Sequence, residues 1–114
     1  MPLGIDHASY EYPALSIYGK NWSLNTDSSW RLVKGGVVFL GVSETQGPEA
    51  LTFLEGESII GVRPQSELVR GDPAFELTGG MWLEIFSDQG VDPWVFSLPQ
   101  IVFVGSPYDP EQVG

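Results

Sequence analysis

A chain of 114 residues with 42% hydrophobic side chains can bury one core without cross-links, which excludes overall disorder. It contains no cysteine, so disulfides, a thiol nucleophile and cysteine-ligated zinc are excluded. Fifteen acidic against five basic residues give a net charge of −10, which repels nucleic acid and anionic lipid. The imbalance is concentrated after Ser43, where twelve of the acids lie but only Arg63 and Arg70 among the bases. The first thirteen residues, MPLGIDHASYEYP, show neither the basic region nor the apolar core of a secretory leader. No apolar run approaches the ~18 residues of a membrane helix, so no membrane association is expected and the expected location is cytoplasmic.

In chain order, residues 1–13 read as an extended, loosely packed arm ending at Pro13, and 14–105 as one β domain. Leu15 and Ile17 alternate with polar neighbours, Gly19-Lys20-Asn21 signals a turn, and Trp22-Ser23-Leu24 alternates again, which predicts a hairpin over 14–26. Trp30 to Val33 is the next strand, reversing at Lys34-Gly35-Gly36 into the near-continuous apolar run Val37 to Gly41. Such a run is the pattern of a strand that is buried on both faces or central. A short helix is predicted near 48–55, with Pro48 in its first turn, Glu49 at the positive end of its dipole, Leu51 and Leu54 on one face and Gly56 as its stop. Glu57 to Arg63 returns to strand character, ended by Pro64.

The stretch from Phe75 to Val104 is the richest in strand signals. Thr78-Gly79-Gly80 separates Phe75-Glu76-Leu77 from Met81 to Phe86, with Met81, Leu83 and Ile85 on one side and Trp82, Glu84 and Phe86 on the other. A turn cluster over 87–93 leads to Trp94 to Leu98, and after Pro99 a last strand runs from Ile101 to Val104; residues 106–114 read as a frayed tail. About seven to eight short strands and one short helix predict a mainly β fold, a small antiparallel barrel or sandwich.

The chemistry on offer is narrow. The single histidine, His7, falls in the predicted arm, where packing would not hold it as a general base. No G-x-S-x-G elbow, phosphate loop or H-E-x-x-H is present, and neither a cofactor nor a metal is called for. Asp72, Glu76, Glu84, Asp88 and Asp92 could converge at one end of the sheet as a metal or acid–base cluster. Asp72-Pro73, Asp88-Gln89-Gly90 and Asp92-Pro93 are equally ordinary turn chemistry. Glu84 lies mid-strand on the side of Trp82 and Phe86. Inside a core its charge would need a partner, for which Arg31 and Arg63 are the candidates; facing solvent, the same side forms an aromatic and acidic patch suited to a protein partner.

Arg63-Pro64-Gln65-Ser66, Gly71-Asp72-Pro73-Ala74-Phe75-Glu76-Leu77, Gly79-Gly80, Leu83 to Asp88, Asp92-Pro93-Trp94-Val95, Leu98-Pro99 and Phe103-Val104-Gly105 together carry a likeness. Trp22, Ser29-Trp30-Arg31, Leu51, Leu54, Gly56, Ile60 and Val62 extend it over most of the chain from about Leu15 to Gly105. The chain resembles a group of small bacterial proteins with a β-rich domain of unknown function. By analogy, small acidic β-proteins of this kind look like immunity proteins paired with secreted toxins. The resemblance brings no catalytic residue with it.

The sequence thus points to a non-catalytic protein-binding module, with a basic toxin as partner in the immunity version. Glu76, Trp82, Glu84, Asp88, Asp92 and Trp94 are the candidate contact residues. The alternatives are a small-molecule-binding barrel with a mouth lined by Trp and Tyr, and a metal-dependent enzyme using the Asp/Glu cluster. Homo-oligomerisation through an edge strand stays open in each case.

Overall fold

Short apolar or alternating runs, interrupted by Gly, Pro, Asn or Asp, leave this chain little choice but short strands. The structure, a computed structural model, describes residues 2–41, 48–65, 72–86 and 94–104. They form the strands β1 (Leu3–Gly4), β2 (His7–Glu11), β3 (Ala14–Gly19), β4 (Trp22–Thr26), β5 (Trp30–Lys34), β6 (Val37–Gly41), β7 (Ser58–Pro64), β8 (Pro73–Leu77), β9 (Met81–Ile85), β10 (Trp94–Leu98) and β11 (Ile101–Val104). The first sheet runs β1-β7-β8-β9-β5-β6 and the second β11-β10-β4-β3-β2. Every pairing is antiparallel. The fold is therefore mainly β, as expected, in two open sheets; among the described residues neither closes into a barrel.

Period-two alternation sends one face of each sheet into a common core. Ile59, Phe75, Leu77, Leu83, Ile85, Trp30 and Leu32 come from the first sheet, and Ala8, Tyr10, Leu15, Ile17, Trp22, Leu24 and Phe96 from the second. The reversals use the residues their geometry needs. Gly35 and Gly36, at φ 61° and 79°, make the two-residue link between Lys34 and Val37, where a primed turn matches the strand twist. Gly79 and Gly80, at φ 81° and 76°, close the β8–β9 hairpin between Leu77 and Met81.

Four sequence expectations change. Residues 1–13 are not a loose arm: β1 pairs with β7, β2 pairs with β3, and Ile5, Ala8 and Tyr10 are buried. The alternation His7-Ala8-Ser9-Tyr10 is the signal of that second strand. The apolar run Val37 to Gly41 is an edge strand rather than a central one, with Val37 64% and Val38 50% exposed. Apolar composition could not distinguish two buried faces from an uncovered one. The segment Pro48–Leu54 winds as a 3-10 helix, not an α-helix. With three residues per turn, positions 51 and 54 eclipse, and both leucines are buried; the segment packs against β2. Finally, eleven strands rather than seven or eight occur among the described residues. The predicted tail, 106–114, lies outside them.

Tyr10 links this core to pH. Its side chain is 2% exposed, edge-on to Trp30 with ring centroids 5.3 Å apart. Burial, and secondarily Tyr12, raises its phenol above the ordinary 10.0. The unfolded chain therefore ionises first, so this contribution to stability is complete below about pH 10 and is lost as pH rises through the folded value. Chemical denaturation at graded pH is expected to show stability falling above about pH 10, with a shallower fall in Tyr10→Phe.

Candidate functional site

The solvent side of the first sheet is set by the parity of β9. Met81, Leu83 and Ile85 are buried, so Trp82 and Glu84 must point outward, and Phe86 continues the same side past the strand end. Strand register then lays two rows across this face. One runs Arg63, Ala74, Glu84, Arg31, Gly41; the next runs Gly61, Glu76, Trp82, Val33, Val38. The core-or-surface question at Glu84 resolves as a half-buried outer face with a partner. Arg31, directly opposite in register, donates from Nε to the Glu84 carboxylate, and its guanidinium lies 5.1 Å from the Phe86 ring centre. Arg63 stacks over Trp82 at 4.5 Å. Each contact is of a kind contributing about 0.5–1 kcal/mol at an exposed site, so their main effect is to hold long side chains in fixed places.

Arg63, Trp82 and Glu84 line a shallow depression of about 300 Å³ together with Val33, Pro64 and Gln65, and with Gly36 and Ala74. Gln65 is itself held, its side-chain amide donating to the carbonyls of Ile85 at 2.9 Å and Pro73 at 3.2 Å. Val38, on the edge, prolongs the apolar strip formed by Trp82 and Val33. Of the six predicted contact residues, Glu76, Trp82 and Glu84 are thus neighbours on one face. Of their two carboxylates, that of Glu84 is paired with Arg31, while Arg63 stacks on Trp82.

Trp94 is elsewhere. On β10 it shares parity with Phe96 and Leu98, turns toward the first sheet and meets Phe75 edge-on at 6.5 Å, on the opposite side of that sheet from Trp82. It lines a cleft of about 330 Å³ between the sheets, together with Val62, Phe75, Phe96, Leu98 and Phe103. Among the described residues no polar atom is exposed in this cleft. Asp88 and Asp92 lie outside the described residues. Among the described residues no group of three or more His, Asp or Glu side chains is placed to hold a metal ion, and no helix is long and apolar enough to cross a membrane.

His7 lies in the paired strand β2 rather than in a loose arm. It stacks on Tyr18 at 4.9 Å, and its Nδ1 is 3.6 Å from the Glu55 carboxylate, which also accepts from the backbone N–H of Ala8. These contacts tie β2 to the end of the 3-10 segment, a structural task.

Comparison of the chain with protein-family models, curated proteins and solved structures finds no match. The residues that sequence reasoning missed on the outer side, Val33, Val38 and the stacked position of Arg63, become neighbours of Trp82 only through register. The cleft was closer to hand, because the shared parity of Trp94, Phe96 and Leu98 already assigns them to one face.

Proposed function

We propose that this protein is a non-catalytic protein-binding module whose contact surface is the outer face of the first sheet. The observation that carries this reading is the convergence of Trp82, Arg63 and Glu84 on one solvent-facing depression, with Arg31 and Phe86 beside Glu84 and an apolar edge at Val38. Trp and Arg are the residues most often found to dominate binding energy, and a fixed, partly desolvated constellation spares the entropy of ordering them on contact.

The net charge of −10 acts at longer range, steering a basic partner toward the protein, while the fixed side chains of the outer face set the final register. A toxin neutralised in the cytoplasm is the version of that partner suggested by the resemblance to immunity-type proteins.

The test is affinity capture from a lysate of the source organism at low ionic strength, comparing wild-type protein with Trp82→Ala. A basic protein is expected to be retained by the wild type, released by raised salt, and bound at least about tenfold more weakly by Trp82→Ala, as for a central aromatic anchor. Circular dichroism is expected to show an unchanged fold, since Trp82 is outside the core. Recovery of the chain alone, or equal capture by both proteins, contradicts the proposal.

A further inference from the structure

We infer that the cleft between the two sheets is a binding site for an uncharged apolar ligand with a ring-bearing body. It lies on the opposite side of the first sheet from the face around Trp82 and stands independently of the partner proposal. Protein interiors normally close such gaps to near-crystalline density. Here about 330 Å³ stays open at the end of the core where β7 and β8 face β10 and β11. Its mouth exposes side chains that parity directs inward, with Val62 43% and Phe103 45% exposed.

The lining decides the ligand class. The described lining exposes no polar atom, so against these walls water finds no hydrogen-bond partner, and a polar ligand group would be stripped of solvent without compensation. An apolar ligand loses nothing by entering and restores the dispersion contacts that the open walls lack. Those walls are held by their own ring contacts: Phe75 meets Phe96 edge-on at 5.3 Å, and Phe96 lies nearly parallel to Phe103 at 6.3 Å. Such a frame offers ring faces and edges to an aromatic ligand in the offset and perpendicular geometries that aromatic pairs prefer. At about 330 Å³ the cleft falls at the small end of the range for ligand pockets, suited to a two- or three-ring body rather than a large cofactor.

Two dyes sharing one ring system form the test on the full chain: neutral N-phenyl-1-naphthylamine and anionic 8-anilinonaphthalene-1-sulfonate, each titrated by fluorescence. The neutral dye is expected to bind saturably at one site, and the anionic dye about tenfold or more weaker, since no cation lines the cleft among the described residues and the protein is strongly negative. Val62→Trp, at a half-exposed mouth position that tolerates bulk, is expected to lower neutral-dye affinity by about tenfold or more, whereas Trp82→Ala leaves it unchanged. Should Val62→Trp fold poorly, proton NMR of the wild type serves instead. Dye-induced shifts are then expected at the Val62 and Leu98 methyls and the Trp94 indole, and not at Trp82. Absence of saturable binding, equal affinity for the two dyes, unaltered binding by a folded Val62→Trp, or shifts centred on Trp82 would each overturn the inference.

Discussion

Replacing Phe75 with alanine is expected to lower the unfolding free energy by about 3–5 kcal/mol, read from denaturant melts of wild type and variant. The ring is fully buried and joins the two sheets, meeting Phe96 and Trp94 edge-on at 5.3 and 6.5 Å. Truncation removes its transfer energy, both aromatic pairs and one wall of the cleft, and the surrounding rings are too constrained to collapse into the space. For a domain whose total stability is on the order of 5–15 kcal/mol, that loss leaves a marginal fold. Phe103, on the same cleft but 45% exposed at the edge strand β11, sets the comparison. Its truncation is expected to reduce stability by about 1 kcal/mol or less, because half of the ring never left water. Equal losses at the two positions would mean that the core does not extend across the sheets as described.

Gly19→Ala is the second large effect, and composition gives no hint of it. The backbone of β3 passes so close to Gly4 and Trp22 that an added methyl would meet the Gly4 carbonyl oxygen and the Trp22 indole nitrogen, two groups already bonded to each other at 2.9 Å. Neither can yield cheaply. The oxygen belongs to β1, paired to β7, and the indole is buried and edge-on to Phe96 at 6.3 Å. Overpacking together with loss of the indole hydrogen bond is expected to destabilise by about 2–4 kcal/mol. Gly4→Ala makes the control, since nothing lies within 4 Å of the methyl it would add. A thermal melt is expected to separate the two by several degrees or more, at roughly 4–8 °C per kcal/mol for a domain near this size.

How far these features could be read from the sequence depended on whether they are local. The hairpins around Asn21, Gly35-Gly36 and Gly79-Gly80 were legible because a turn needs particular residues at particular places and the flanking alternation fixes the faces. Sidedness was legible too. Met81, Leu83 and Ile85 separate from Trp82, Glu84 and Phe86 by parity alone, and the Arg31 partner of Glu84 was among those anticipated. Strand order was not legible. Nothing in Val37 to Gly41 says that it ends a sheet, and nothing in His7 to Glu11 says that β3 will cover it rather than solvent. The same blindness governed the site. Trp82 and Trp94, twelve residues apart in the sequence, look alike as exposed anchors, yet the sheet between them sends one to solvent and the other into a cleft. At Glu84 the structure combines parts of both alternatives, an outward side chain and an Arg31 partner, and only cross-strand register decides between the two candidate arginines.

Most directly, the account is tested by measuring two affinities on three proteins: wild type, Trp82→Ala and Val62→Trp, each against the captured partner and against N-phenyl-1-naphthylamine. A separation of the two activities is expected. Trp82→Ala loses the partner and keeps the dye, while Val62→Trp keeps the partner and loses the dye. If either folded variant lost both, or if Trp82→Ala held the partner as tightly as the wild type, the outer face of the first sheet would not be the recognition surface.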